Sequence, residues 1–588
     1  MKEYIHKLML HRYLPLMVAL LAVVLTLPSL RAGWILDDYW HRLYFAGKDI
    51  GLDHEMNQSE YPLDIFRFMN GDPEQIAKLR DMGLPWWTYE KVKGAFWRPV
   101  TAVTHWLDYQ LWPESPVWMH GQSVLWYGLL ALVVAIFYRR LMGVTLAAGL
   151  AGFFYAIDDA HGTPVGFLAN RNILICAFFG VLALIAHDRW RRGGKHRWAF
   201  GAVLLLLISL LAKEAGISVC AYLIAYALFI DSGTWRRRAV SLLPYLVLVI
   251  LWRIVWTSMG YGVEGMGGYV DPLQEPMRFL QALITRAPIL LLGQWAGPPA
   301  DFYLLVGMNK VALMVGALIM IVLVGIGLIR LLKLNRISRF WLTGMILSVV
   351  PVCTTFPSDR MLIFVGIGAM GLLGQFICSV WGRDKIPVKH FLHRWLVVFL
   401  GVIFILLHLV EAPPALMHRS ANPFGLRRII NSYLVDVEMD KSVEQQDVIL
   451  VNPPVPLFAA YMPVMRAFAG KPVPKGVKIL SSSGDKVRVY RRDEKCLVVR
   501  PKGGFLIFHF DKLFRNKQHQ LKLGEKVKLT GMTAEVTELT SDNRPAEAAF
   551  YFDVPLEDNS LRWLQWKEGK FVPFVPPSIG GQAKLRFK

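Results

Sequence analysis

Cysteine is scarce in this chain and does not follow the spacing of a metal site or a disulfide framework. The 588 residues include five cysteines. Cys176, Cys220, Cys353 and Cys378 lie in apolar stretches, and Cys496 stands alone near the C-terminal end. This pattern excludes a disulfide-stabilised secreted scaffold and a structural zinc site.

Charged residues are also few, and acids are outnumbered by bases. Asp, Glu, Lys and Arg make up 19% of the chain, and the formal net charge is +21. The bases lie mainly between apolar stretches, and no nucleic-acid-binding motif accompanies them. We therefore expect a lipid bilayer as the partner of this charge, and no nucleic acid.

Apolar residues are abundant instead. They make up 54% of the chain, and the mean hydropathy is +0.38. About eleven apolar stretches recur, most of them near the length of a bilayer-spanning helix. The first is interpreted as a retained span rather than a cleaved signal peptide. The stretches are Leu14–Leu30, Gly121–Tyr138, Val144–Ile157, Ile173–His187, Ala199–Leu211, Ile217–Ile230, Val240–Trp256, Val311–Ile329, Trp341–Thr354, Leu362–Val380 and Leu396–Val410.

The basic loops predict an orientation. With the N-terminus in the cytoplasm, every strongly basic short loop falls on the cytoplasmic side, and an odd number of spans leaves the C-terminus outside. The simplest location is a bacterial inner membrane with a periplasmic C-terminal domain, because nothing indicates retention in the endoplasmic reticulum. The loops contain Arg139–Arg140, Arg189–Arg197, Arg236–Arg238, Arg330–Arg339 and Arg383–Arg394.

Two domains are predicted. Residues 1–412 form a transmembrane domain with a long outer loop at 31–120, and residues 413–588 form a soluble α+β, β-rich domain in which short alternating strands replace apolar runs. In the outer loop, Asp72-Pro73 predicts a helix start. With Trp86 and Trp87 following, the sequence indicates an amphipathic helix on the membrane surface with an aromatic anchor. The apolar stretch Phe279–Trp295 is interpreted as interfacial or re-entrant.

Several polar constellations are predicted to lie at the outer ends of the spans. A carboxylate pair at this boundary can accept a proton, bind a metal or recognise a cation. Neighbouring cations can hold a phosphate or pyrophosphate headgroup. A phospholipid that carries a leaving group satisfies both halves of such a site. The constellations are Asp37-Asp38, Arg98 with Asp108 and His120, His161 to Asn172, Lys213-Glu214, and Asp359-Arg360.

Residues 34–41, 96–120, 161–172 and 212–216 resemble successive signatures of the GT-C superfamily of membrane glycosyltransferases. The likeness is greatest to the protein O-mannosyltransferase, or glycosyltransferase family 39-like, branch. The Arg-Pro…Leu-Asp-Tyr…His block and the Lys-Glu corner are its most specific parts. The chain departs from the pattern at Ala212, where the family often has serine, in the stretched His161-Gly-Thr-Pro164, and in lacking a tetratricopeptide array.

The resemblance implies an inverting glycosyltransferase that moves a sugar from a polyprenyl-phosphate donor. The acceptor, on the outer face, is a protein Ser/Thr, lipid A or another envelope glycan. Asp37 is the implied base, with Asp38 as its neighbour or as the base itself. The donor-binding set is Arg98, His161, Arg171, Lys213, Glu214 and Arg360. For a monophosphate donor we expect neither a metal nor another cofactor, whereas a pyrophosphate donor would favour a divalent metal.

Other interpretations stay open at this point. The chain is alternatively a transporter or flippase of a lipid-linked sugar, or a scaffold for envelope assembly. A repeated fold and ionisable residues at mid-membrane would be typical of a transporter, and the sequence has no visible repeat. Asp37-Asp38 alone is compatible with a helix cap, Lys213-Glu214 with a helix-end ion pair, and Asp108 and His120 with support of the Arg98 segment.

Overall fold

A computed structural model describes residues 2–47, 63–305, 308–382, 390–425, 427–482 and 486–586. The chain divides into two compact units. The membrane unit comprises Met1–Asp38, Phe96–Met259 and Pro272–Gly425, and the β-rich unit comprises Tyr39–Ala95, Gly260–Asp271 and Leu426–Lys588. The predicted cytoplasmic bases Arg383, Lys385 and Lys389 lie outside the described residues.

Within the described residues, the membrane unit contains seven helices long and apolar enough to cross a bilayer. Three shorter apolar helices accompany them, and the predicted stretch Trp341–Thr354 lies on the helix Arg336–Val352. A multi-pass helical membrane protein is thereby confirmed, while a total of eleven spans stays a prediction. The seven are Leu14–Arg31, Pro116–Met142, Leu168–Arg191, Trp235–Ser258, Lys310–Leu334, Ile363–Trp381 and Phe391–Ala421. The three are Leu146–Ile157, Arg197–Ala212 and Glu214–Phe229.

Small residues let these helices approach closely. A Cβ added at Gly374 would lie 2.5 Å from the carbonyl oxygen of Ala147, so only glycine fits there. A Cβ at Gly344 would lie 2.4 Å from the ring of Tyr222. Such contacts between backbones and side chains are the usual source of helix association in lipid, where apolar burial itself contributes little.

Further helices connect or flank the spans. Pro276–Trp295 covers the stretch interpreted as interfacial or re-entrant, and Pro288 lies inside it. Lys2–Leu10 precedes the first candidate span, and Pro99–Leu111 lies in the last part of the predicted outer loop. Asp37–Ala46 begins at the acid pair.

The β-rich unit contains three sheets. Six antiparallel strands form the largest sheet, in the order Gln582–Arg586, Lys486–Arg491, Cys496–Pro501, Pro545–Phe552, Met532–Leu539, Lys526–Leu529. Four strands form a mixed sheet, in the order Lys570–Pro573, Leu561–Lys567, Asp447–Leu450, Gly476–Ile479. A small sheet has three strands, in the order Arg67–Asn70, Lys93–Ala95, Gly262–Glu264. The predicted β-rich C-terminal region is therefore confirmed.

The predicted helix start in the outer loop is present. The helix Pro73–Asp81 has Asp72 as its N-cap, and the Asp72 carboxylate accepts a hydrogen bond from the backbone N–H of Glu74 at 3.1 Å. Ile76 is fully buried on this helix. The cap and the apolar face are local properties, which is why the sequence indicates them.

The two tryptophans after this helix do not form a lipid anchor, which corrects the sequence-based interpretation. Trp86 and Trp87 are 0% and 1% exposed. The Trp86 ring packs edge-on against Phe505 and Phe550, with centroids 5.4 and 5.8 Å apart. The Trp87 indole N–H donates to the carbonyl of Asp511 at 2.9 Å. Trp86 and Trp87 thus belong to the core of the β-rich unit, whereas the sequence suggested one division after residue 412.

Trp86→Ala should destabilise the β-rich unit by about 3–5 kcal/mol, because it empties a buried aromatic site. Proteolysis of the full-length protein in denaturant, followed on fragments of the C-terminal region, measures this loss. Tyr490→Ala is the matched control, since Tyr490 is 44% exposed in the same unit. An equal effect of the two substitutions would contradict the burial of Trp86.

Candidate functional site

The acid pair stands at the start of a helix, directly after a strained residue. Leu36 has a φ of 45°, in the left-handed region that non-glycine residues rarely adopt, and the helix Asp37–Ala46 follows at once. Such backbone costs free energy and persists where the surrounding fold holds it in place. Asp37 is half-buried there, so its side chain retains access from outside the fold.

Asp38 is fixed inside the fold. It is 1% exposed, and its two carboxylate oxygens accept backbone N–H bonds from Ile35 at 3.0 Å and from Ala169 at 2.7 Å. Burial raises the pKa of Asp38 to about 8, although the two N–H groups act in the opposite direction. Asp38 therefore joins the acid pair to Ala169, and Asp37 is the more exposed member of the pair.

The segment joined to Asp38 also holds the side chain of Lys213, through Asn170 and Asn172. The Lys213 ammonium donates to Oδ1 of Asn170 at 3.2 Å and to Oδ1 of Asn172 at 2.9 Å. Lys213 is 6% exposed, and its neighbours on the chain are the two short apolar helices. It does not pair with Glu214, so the helix-end ion pair suggested as an alternative is not present. Burial, reinforced by Arg98 and Arg360, lowers the pKa of Lys213 well below its usual value, so an anion bound beside Lys213 would favour its charged form.

Glu214 is paired with Arg98 instead. The Arg98 guanidinium donates through Nε at 3.0 Å and through Nη2 at 2.8 Å to the same Glu214 oxygen. Arg98 also lies over the ring of Phe96, 4.5 Å from its centroid. Glu214 therefore orients Arg98, and an ionised carboxylate, which only accepts hydrogen bonds, is not itself a ligand for phosphate.

Two arginines and one acid lie near enough to Lys213 to act on it electrostatically. Arg98 and Arg360 both act electrostatically on Lys213 with repulsive sign, and Glu214 acts with attractive sign. Arg360 is partly exposed and lies 5.5 Å from the ring centroid of Phe356. Arg98, Lys213 and Arg360 thus form a cluster of basic side chains beside the segment that holds Asp38. An arrangement of this kind attracts an anion.

Arg171 lies away from any exposed surface. Its side chain is 0% exposed and forms an ion pair with the equally buried Asp108 at 2.6 Å. The remaining guanidinium donors reach the Met119 carbonyl at 2.6 Å, Ser123 Oγ at 2.9 Å and the side chain of Gln122. Direct phosphate binding by Arg171, implied by the resemblance, does not fit this geometry, because its donors are occupied inside the protein.

Asp108 and His120 have structural contacts, although not those expected. Asp108 serves Arg171 rather than the Arg98 segment. His120 Nε2 lies 2.9 Å from the carbonyl oxygen of Gly33, just before the acid pair.

His161 is also buried. It is 0% exposed, and its Nδ1 lies 3.0 Å from the hydroxyl of Tyr127. Burial lowers the pKa of His161, which favours the neutral imidazole. Its Nε2 and the Oε1 of Gln294 have no hydrogen-bond partner among the described residues. His161 is thus seated in the interior next to Gln294 and Asp158, and the structure does not join it to the Lys213 cluster.

Asp359 belongs to a separate ion-pair group that sequence reasoning missed. Its carboxylate accepts from Arg419 at 2.7 Å and from the backbone N–H of Ala300 at 2.7 Å, and Arg419 also pairs with Asp159 at 3.1 Å. Burial and neighbouring acids raise the pKa of Asp359 and of Asp159, and Arg419 opposes this. Arg419 lies 60 residues from Asp359, and no local pattern indicates such a partner.

The site residues described above do not form a candidate metal site. Across the described part of the chain, no three His, Cys, Asp or Glu side chains gather in a way that would hold a metal ion. Independence of metal stays a prediction.

Comparison with known proteins finds similarity to glycosyltransferases. No protein-family model matches the chain. A protein O-mannosyl-transferase of Caenorhabditis elegans is 28% identical over 196 residues, which are 32% of this chain and 26% of the relative. The match therefore spans about a quarter of that relative's length.

A solved structure matches the chain at low similarity. The archaeal oligosaccharyltransferase AglB of Archaeoglobus fulgidus, solved with an inhibitory peptide and a dolichol-phosphate, has a TM-score of 0.39 and 13% identity. The alignment covers 77% of this chain and 64% of AglB. The sequence match, together with the helical membrane unit, bears out the resemblance on which the site residues were chosen. This chain is a multi-pass membrane protein that resembles the protein O-mannosyltransferase branch of the GT-C glycosyltransferases.

Proposed function

We propose that this chain is an inverting glycosyltransferase that moves a hexosyl or pentosyl group from a polyprenyl-phosphate donor to an acceptor on the outer face of a membrane. The observation that carries the proposal is the cluster of Arg98, Lys213 and Arg360, held beside the segment that fixes Asp38. It combines an anion-binding corner with an accessible carboxylate, and the reaction needs both.

The cations bind the phosphate of the donor. Arg98, oriented by Glu214, and Arg360 supply guanidinium donors, and the negative charge of the bound phosphate favours the ammonium form of the buried Lys213. As the bond between the sugar and the phosphate oxygen breaks, negative charge grows on the departing polyprenyl phosphate. Cations already in place stabilise that charge without reorganising.

Asp37 acts as the general base. It takes the proton of the acceptor hydroxyl, whose oxygen forms the new bond to the anomeric carbon on the face opposite the phosphate. The bond to the phosphate oxygen breaks with its electron pair, so the configuration inverts and polyprenyl phosphate leaves. Asp38 holds the helix start in position through Ile35 and Ala169. His161 and Arg171 support the fold around the site.

The acceptor is a protein Ser/Thr, lipid A or another envelope glycan, and the donor is a lipid-linked sugar in the bilayer. The proposed location is a bacterial inner membrane, with the N-terminus in the cytoplasm and the residues after 413 in the periplasm. Residues 1–412 would supply the catalytic part of the protein. No metal is needed in this scheme, because three side-chain cations face a monophosphate.

Release of polyprenyl phosphate from a panel of polyprenyl-phosphate sugars, with an extract of envelope acceptors, tests this function. Sugar transfer with release of the lipid phosphate supports it and identifies the donor. Movement of the intact lipid-linked sugar across a proteoliposome, without cleavage, would identify the protein as a flippase instead.

Lys213→Met should raise the KM for the donor by about tenfold to a hundredfold, because a charged hydrogen bond to the phosphate is lost while the apolar volume is kept. Initial rates at varied donor concentration measure this change. Lys310→Met is the control, since Lys310 is an exposed lysine at the start of another candidate span. A larger KM only for the acceptor would contradict the assignment of Lys213.

A further inference from the structure

Two asparagines hold Lys213, and they differ in one respect. Each presents its Oδ1 to the ammonium, at 3.2 Å for Asn170 and 2.9 Å for Asn172. The Nδ2 of Asn172 donates to the carbonyl of Ala169 at 2.8 Å. The Nδ2 of Asn170 is buried and finds no acceptor among the described residues. Asn170 as a whole is 4% exposed.

Lys213 determines which way the Asn170 amide points. In both amides it is the oxygen that faces the Lys213 nitrogen, which donates to it. The NH2 group of Asn170 must therefore point away from the ammonium. A buried donor without an acceptor costs free energy, and such groups in native proteins are expected to bind water, an ion or a ligand.

The charged groups nearby favour an anion as the acceptor for the NH2 group of Asn170. Arg98 and Arg360 act on Lys213 with positive charge, and Glu214, the acid that acts on Lys213 with attractive sign, accepts two hydrogen bonds from Arg98. An amide NH2 only donates in this orientation, and a phosphate oxygen only accepts. A phosphate oxygen can therefore accept a hydrogen bond from this NH2 group, and its negative charge is attracted by the nearby arginines.

We propose that the side-chain amide of Asn170 donates a hydrogen bond to a phosphate oxygen of the lipid-linked donor, beside Lys213. Asn170 is then a ligand-binding residue of the site, and Asn172 a positioning residue that fixes Lys213 and the 169–172 turn. The inference rests on the proposed function, because it takes the donor phosphate as the ligand of the cluster.

The two asparagines provide a matched pair of substitutions. Asn170→Asp and Asn172→Asp each keep an oxygen for Lys213 and each add one negative charge next to it, so their electrostatic effects are similar. Asn170→Asp removes the unpartnered donor, whereas Asn172→Asp removes a donor that is used inside the protein. Any difference between them therefore reports where each NH2 group is bound.

The measurement is binding of polyprenyl phosphate alone to the full-length protein in detergent, together with its thermal unfolding. We expect Asn170→Asp to weaken binding by about tenfold or more relative to Asn172→Asp, with little change in the unfolding midpoint. Asn172→Asp should lower the midpoint, because it loses the bond to Ala169.

Each contrary outcome is decisive. Wild-type affinity in Asn170→Asp would mean that water alone satisfies the amide, which overturns the inference and leaves the proposed function intact. Equal weakening in both variants would assign the effect to charge and would also overturn it. If the wild-type protein binds neither polyprenyl phosphate nor any polyprenyl-phosphate sugar, the proposed function fails first.

Discussion

Asp37→Asn should lower the rate of sugar transfer by about a hundredfold to ten thousandfold, while membrane insertion and thermal stability stay unchanged. An amide cannot take the proton of the acceptor hydroxyl, and loss of a general base has this magnitude. Asp37 is half-buried at the start of its helix, so the substitution leaves the interior as it is. Single-turnover transfer with saturating donor measures the chemical step directly.

Asp38→Asn is the informative control for this experiment. Both oxygens of Asp38 accept backbone N–H bonds, and an amide can replace only one of them. We expect a loss of about 1–3 kcal/mol in the free energy of unfolding, with transfer retained by the molecules that stay folded. Full activity in both single variants and in the double variant would remove the base assignment altogether.

Arg171→Met should be the most destabilising single substitution in the membrane unit among those considered. It leaves the fully buried carboxylate of Asp108 without its cation, and breaking a buried ion pair in this way costs about 3–5 kcal/mol. The midpoint of thermal unfolding in detergent should fall accordingly. Donor affinity per folded molecule should stay the same, because the Arg171 side chain is fully buried and four of its five N–H groups are bonded inside the protein.

The double variant Arg171→Met/Asp108→Leu separates the charge from the packing. Removing the second charge should recover part of the stability, since the uncompensated carboxylate is gone. Arg237→Met serves as a surface control, because Arg237 is exposed. A stable Arg171→Met protein that no longer binds the donor would restore the phosphate-binding role that the resemblance implied.

Features that depend on neighbours in the sequence were predictable. The Asp72 cap is an example, because an N-cap bonds to an N–H only two residues away. The apolar stretches are another, since the length of a span follows from the thickness of a bilayer. The β-rich C-terminal region follows from alternation and turn residues in the same local way.

The partners of buried polar groups were not predictable from these patterns. In the sequence, Trp86 and Trp87 resemble an interfacial anchor. Their burial depends on residues more than 400 positions away, such as Phe505 and Asp511. Arg171 and Lys213 are both cations near the predicted outer ends of spans. The first is paired with Asp108, and the second is held by two neutral amides.

The sequence alone determined that this is a polytopic helical membrane protein with a β-rich C-terminal region, and that acids and cations lie next to its apolar stretches. Hydrophobicity, periodicity and motif spacing are written in neighbouring residues, so no fold is needed to recognise them. The tertiary structure decided which of those charges are compensated. That choice depends on which distant side chains share a low-dielectric interior, where a paired cation stabilises the fold and an uncompensated one can attract a ligand.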